Sequence, residues 1–191
     1  MNGNLAYQDE IRDELIDGKL VAMSPRPVVN HNRIAFRIAH LFENYLEGRK
    51  CIALADGVDV HLTEKDIFVP DMMVVCEREK IKYDGVYGAP DLVVEVLSPS
   101  TAKRDKGYKK DVYEKCGVRE YWLVEPVGKS IEVYLLKDGD YVLDEVYTVY
   151  PEAHLESMSE EDRAAIPTKF KCSLYDDFEI TLTDVFSGLL P

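Results

Sequence analysis

Residues 91–97, DLVVEVL, constrain this chain more than any other stretch. Their leucines and valines read as a central strand buried on both faces, yet Glu95 stands in the middle. A carboxylate in such a place costs several kcal/mol unless it is paired, protonated or bound to a metal ion. Strand alternation that turns Glu95 to solvent is the plain alternative, and Val94, Val96 and Leu97 around it argue against full exposure. Residues 101–116 then read as a basic helix and 120–124 as a further strand. Strand, helix, strand is a β-α-β crossover, expected to be right-handed with its strands parallel, adjacent or one strand apart.

The rest of the chain fits around that unit. Residues 5–15 read as a short helix, and ELIDGKLVAM as a hairpin turning at Asp17-Gly18. Ile34, Ile38, Leu41, Phe42 and Tyr45 recur at three- and four-residue steps, predicting a helix over 30–47 ended by Gly48. One or two strands are expected in 50–62, and a strand pair or bent strand in 67–76, broken at Pro70. Further strands fall at 131–136 and 141–149, and a short helix at 183–189 opened by Thr181 or Thr183. Residues 150–168, bounded by Pro151 and Pro167, read as a surface loop insertion with one short helix capped by Ser159. The expectation is one α/β (α+β) domain over residues 1–191, with a mixed central sheet flanked by helices.

Asp71 opens the apolar run MMVVC and lies 24 residues before Glu95 (95 − 71), enough for a hairpin that sets the two side by side. Alone, Pro-Asp is a weak signal, and at Pro90-Asp91 the turn or cap reading is preferred. Two carboxylates held close repel unless a cation intervenes, and oxygen ligands of this kind suit Mg²⁺ or Mn²⁺. On the following helix Asp105, Lys109 and Tyr113 repeat at four-residue steps and share one face. That face is either a solvated surface with an ion pair or a partner for Glu95.

The run from Gly88, GAPDLVVEVLSPSTAKRDKGYKKDVYEKCGVREYWLVEP, resembles the signature of the Uma2 (DUF820) family of endonucleases, within the PD-(D/E)XK nuclease superfamily. ELIDGKLVAMSP, His31, VPDMMVV and TLTDVFSGLL resemble the family's pattern in the same order, so the likeness spans nearly all of the chain except 150–168. It implies a restriction-endonuclease-like core with an N-terminal helix and β-hairpin. It puts the superfamily's first aspartate on Asp71 and its central acid on Glu95. The usual lysine would fall on Leu97, a departure, and the family's replacement on the next helix falls on Lys109. Asp71, Glu95 and the Val96 backbone carbonyl would then hold Mg²⁺ or Mn²⁺. Glu14 and His31 match family positions as accessory candidates, beside Asp105 and Tyr113. Lys103, Arg104, Lys106 and Lys110 would contact phosphates. DNA is the expected substrate, RNA or a nucleotide a variant of it, and a homodimer is expected because a double-strand break takes two sites.

The net charge of −13 runs against a nucleic-acid partner, although KRDKGYKK at 103–110 is locally basic. It keeps open a second class of function: a non-catalytic binding or regulatory protein on the same fold. Cys51, Cys76, Cys116 and Cys172 form no CxxC pair and are read as buried, reduced thiols. No apolar stretch is long enough to span a membrane, and the first residues have neither the basic nor the apolar region of a signal peptide. The expected compartment is the cytoplasm.

Overall fold

The computed structural model describes residues 13–22, 28–55 and 57–190. Strands β1 (Asp13–Ile16) and β2 (Lys19–Ala22) form the expected hairpin. Its turn places Asp17 at φ 50° and Gly18 at φ 73°, the two positive φ values of a two-residue turn that twists with its strands. The helix expected over 5–15 is corrected in its last residues: Asp13, Glu14 and Leu15 are strand, because they pair with Ala22, Val21 and Leu20. Residues 5–12 lie outside the described residues.

Helix α1 (Val29–Leu46) buries Ile34, Ile38 and Phe42 along one face. Strands β3 (Ile52–Ala55), β4 (Val60–Thr63), β5 (Asp66–Phe68), β6 (Met72–Val75), β7 (Val86–Tyr87) and β8 (Leu92–Val96) follow. Next come α2 (Ala102–Arg104), a π-helical turn (Asp105–Lys109) and α3 (Lys110–Cys116), one helical rod with a widened middle. Gly117 ends it at φ 89°, its N–H donating to the Glu114 carbonyl, the left-handed stop that glycine adopts at least cost. Strands β9 (Glu120–Glu125), β10 (Ser130–Lys137) and β11 (Asp140–Thr148) complete the main sheet. The stretch at 150–168 carries two short exposed helices rather than one: α4 (Glu152–Glu156), and α5 (Glu160–Ala165), which Ser159 caps by accepting from the Asp162 N–H. Strands β12 (Lys169–Lys171) and β13 (Glu179–Thr181) pair with each other, and Thr181 caps α6 (Leu182–Phe186).

The main sheet has the order β11-β10-β9-β8-β6-β3, and a second sheet runs β2-β1-β5-β4-β7. Strands β8 and β9 are parallel neighbours joined by the helical rod, as the crossover requires. Alternation along β8 divides the core. Leu92, Val94 and Val96 pack with α1, Trp122 and the C-terminal Phe170 and Phe178, while Val93 and Leu97 pack with α3, Phe68 and Tyr121. Glu95 therefore points toward the helical rod, into the layer between the two sheets.

One expectation about the cysteines is overturned. Cys51 and Cys76 form a disulfide. They flank the antiparallel pair β3–β6, and the register Ile52↔Val75 sets them opposite each other, a relation invisible at a sequence separation of 25. Cys116 and Cys172 are free. Thiol alkylation of the denatured, non-reduced protein is expected to modify Cys116 and Cys172 alone, and prior reduction to expose all four. Closing a loop of this length stabilises the fold by roughly 3 kcal/mol in the chain-entropy account, so reduction is expected to lower the melting temperature.

Candidate active site

The register of β6 against β8 builds the site. Met72 faces Val94, so one step outward Asp71 faces Glu95, and one step further Pro70 faces Val96. Proline has no N–H to continue the ladder. Asp71 Oδ2 takes over, accepting the Val96 N–H at 2.7 Å. A strand residue's N–H and C=O leave on the same edge, so the Val96 carbonyl faces the same gap with no donor from Pro70. His31 Nε2 lies 3.4 Å from the same Asp71 oxygen.

Below this gap Lys109 is enclosed by acids. Its Nζ is 2.6 Å from Glu95 Oε1, 2.9 Å from Glu14 Oε1 and 3.8 Å from Asp105 Oδ1, and its side chain is only 3% exposed. The widened turn carries both Asp105 and Lys109 into the interior. Such π-turns inside α-helices are frequent at functional sites. Tyr113, one turn on, donates its OH to Glu95 Oε1 at 3.0 Å, so the face that repeats at four-residue steps does look onto Glu95. Glu14 also accepts the Val69 N–H and a bond from Arg104. Two further members gave no sequence signal: Tyr121, whose OH holds the Asp105 carbonyl at 3.0 Å, and Phe68, whose ring lies 5.4 Å under Lys109 Nζ.

Burial pushes the Glu95 carboxyl well above its ordinary range, Lys109 opposes, and Asp105, Asp71 and Glu14 add to the rise. Burial also raises Asp105, against Lys109 and a bond from Thr101. Glu14 goes the other way: burial alone would raise it, but Lys109, the Val69 amide and Arg104 together hold it low. Burial would lower Lys109, and the surrounding carboxylates outweigh it and keep the ammonium charged. Four carboxylates, Glu14, Asp71, Glu95 and Asp105, thus face two cations, Lys109 and Arg104.

This excess of negative charge, with an open carbonyl beside it, fits a divalent ion. Among the described residues no three His, Cys, Asp or Glu side chains close into a ready cage. The donors present suit an ion such as Mg²⁺, which takes one or two carboxylates and fills its remaining positions with water and phosphate oxygens. The cluster lies at the floor of a cleft of about 670 Å³, whose walls include Val28, Ser98, Thr101 and Val127. The other expected phosphate contacts are dispersed. Arg104 is on Glu14, Lys106 on Glu132 at 2.6 Å, Lys110 sits 3.8 Å over the Tyr134 ring, and Lys103 is exposed.

The mixed sheet with its crossover helix is of the restriction-endonuclease-like α+β class; Asp71 stands just ahead of β6, Glu95 opposite it in β8, and Lys109 on the crossover helix rather than at position 97. A solved structure from Anabaena variabilis, described as "a putative nuclease belonging to DUF820", matches with a TM-score of 0.68 over 93% of this chain and 91% of that one, at 22% identity. The profile of the Uma2 family, described as "Putative restriction endonuclease", matches residues 4–165. The chain belongs to the Uma2 family. It is also similar to two Synechocystis proteins, "Uncharacterized protein slr1290" and "Uncharacterized protein sll1609". The first is 32% identical over 73% of this chain and 75% of the relative, the second 25% identical over 64% and 82%. Among the described residues no helix is long and apolar enough to cross a membrane.

Proposed function

We propose that this chain is a divalent-metal-dependent endonuclease that hydrolyses phosphodiester bonds in DNA at Asp71, Glu95 and Lys109. The observation that carries the reading is the register that sets Asp71 opposite Glu95, with Lys109 Nζ 2.6 Å from Glu95. Asp71, Glu95 and the Val96 carbonyl would hold Mg²⁺ or Mn²⁺, which supplies a Lewis acid and a bound water of lowered pKa. The protein's own residues do the rest. Lys109, held protonated, offers N–H donors to the charge that grows on the phosphate. Tyr113 and Lys109 fix the Glu95 carboxylate, and the Val96 N–H and His31 fix Asp71. Glu14 anchors Lys109 from the other side.

Asp71→Asn keeps an oxygen to accept the Val96 N–H while removing the charge. It is expected to lower cleavage roughly 10²–10³-fold, the scale of losing one well-placed electrostatic group, with the fold retained. Assays on DNA, RNA and mononucleotide diesters under one Mn²⁺ condition check both variant and substrate. Cleavage unchanged by Asp71→Asn overturns the site, and cleavage of RNA alone moves the substrate. The net charge of −13 favours a second reading, a binding or regulatory protein on the same scaffold. It predicts no Mn²⁺ binding that depends on Asp71.

A further inference from the structure

The cleft that holds the acidic cluster has apolar sides: Val28, Pro99, Ala102, Pro126 and Val127 all line it. Val28 and Val127 are 67% and 92% exposed, and neither belongs to a core cluster. They come from different elements, each with its backbone held. Val28 is the N-cap of α1, its carbonyl accepting the Asn32 N–H at 3.2 Å. Val127 stands in the β9–β10 turn, its N–H donating to Glu125 Oε1 at 3.0 Å. A single exposed valine needs no explanation. Two that border one cleft, beside Pro99 and Pro126, make an apolar surface next to the carboxylates that would hold the metal.

Charge and size decide what kind of strand this surface suits. The lysines and arginines among the described lining residues are Lys109 and Arg104, and both are bonded to Glu14. Glu125 adds one more carboxylate to the lining. Duplex DNA carries one negative charge per roughly 1.7 Å of axis, against roughly 3.4 Å for one of its strands. An acidic cleft in a chain of net charge −13 therefore disfavours the duplex more strongly. The cleft volume of about 670 Å³ falls in the range of pockets that enclose a small ligand, room for about one or two nucleotides and not for a paired helix. Whatever lies there must bring a phosphate to the carboxylates, so the group beside that phosphate is a sugar or a base. A paired base has its faces covered by stacking, whereas an unpaired one can turn a face to an apolar wall.

We infer that the cleft takes an unpaired nucleotide next to the scissile phosphate, its base packed against Val28, Pro126 and Val127, so that the substrate is single-stranded or locally unpaired DNA rather than continuous duplex. The inference rests on the nuclease reading. Contacts of this kind accept any base, because every base has an apolar face.

The test compares three DNA substrates of one sequence with the full chain and Mn²⁺: a single strand, its perfect duplex, and the duplex with an internal mismatched bubble. The single strand and the bubble are expected to be cut roughly tenfold or more faster than the duplex, which must first give up pairing and stacking. Cuts in the bubble substrate should fall at or beside the unpaired bases. Val127→Asp is expected to raise KM for the single strand roughly tenfold and to change kcat much less, as the loss of a contact made equally before and during the reaction does. Val146→Asp, at an exposed valine outside the cleft lining, is the control and should leave KM near wild type. Both positions are exposed, so the melting temperature should hold in each variant. A duplex cut as fast as the single strand, or a Val127→Asp protein with the KM of Val146→Asp, overturns the inference. If that cutting is still lost in Glu95→Gln, the nuclease reading stands without it. A wild-type chain that cuts none of the three overturns both.

Discussion

Lys109→Met is expected to lower the unfolding free energy by about 3–5 kcal/mol, the scale for removing one partner of a buried ion pair. The methionine fills nearly the same volume, so the loss reports charge rather than a cavity. The variant leaves Glu14 and Glu95, each 5% exposed at the side chain, without their shared cation, and Arg104 reaches Glu14 only. For a chain of this size the melting temperature should fall by roughly 6–20 °C. Cleavage should fall as well, because the donor next to Glu95 is gone. Adding Glu95→Gln should recover part of the lost stability. A double-mutant cycle with a coupling energy of about 1 kcal/mol or more would fit two groups in direct contact. A melting temperature unchanged in Lys109→Met would contradict the enclosed geometry.

Glu95→Gln is expected to separate stability from activity. The cluster has more negative than positive charge, and Asp105, Asp71 and Glu14 all disfavour ionisation of Glu95. Removing that one charge relieves repulsion, and the amide oxygen still accepts from Tyr113. Lys109 keeps Glu14 and Asp105. The unfolding free energy should stay within about 1 kcal/mol of wild type, because the pair's desolvation cost is itself large. Activity should nonetheless drop roughly 10²–10³-fold. Thermal denaturation beside a cleavage assay reads both. A protein strongly destabilised by Glu95→Gln and otherwise active would mark Glu95 as a structural residue.

Much of this was legible in the sequence, because local rules decided it. Asp17-Gly18 fixes a hairpin by its φ requirement, and the Ile34-Ile38-Phe42 spacing fixes the buried face of α1. Leu-Val runs with short connections fix the crossover that puts Asp71, Glu95 and Lys109 together. What stayed hidden depends on contacts between distant segments. Strand alternation says that Glu95 and Val94 face opposite ways, but not which layer each enters. The basic run 103–110 gives charge without direction: Lys109 points inward, Lys106 reaches Glu132 and Lys110 covers Tyr134. Glu14 read as an accessory, and only the pairing of β1 with β5 brings it onto Lys109. The Cys51–Cys76 bond follows from a strand register that no cysteine spacing announces.

Whether Asp71, Glu95 and Lys109 form a metal-dependent cleavage centre is read out by cleavage of supercoiled plasmid DNA by the purified chain with Mg²⁺ or Mn²⁺, run beside Glu95→Gln and an EDTA control. Nicked or linear product is expected with wild type and metal, and none above background when either the carboxylate or the metal is withdrawn. Cleavage that persists through both would contradict a metal site built on Glu95. A wild-type chain that cuts neither plasmid, single-stranded DNA nor RNA, and binds no Mn²⁺, would show the scaffold to be non-catalytic.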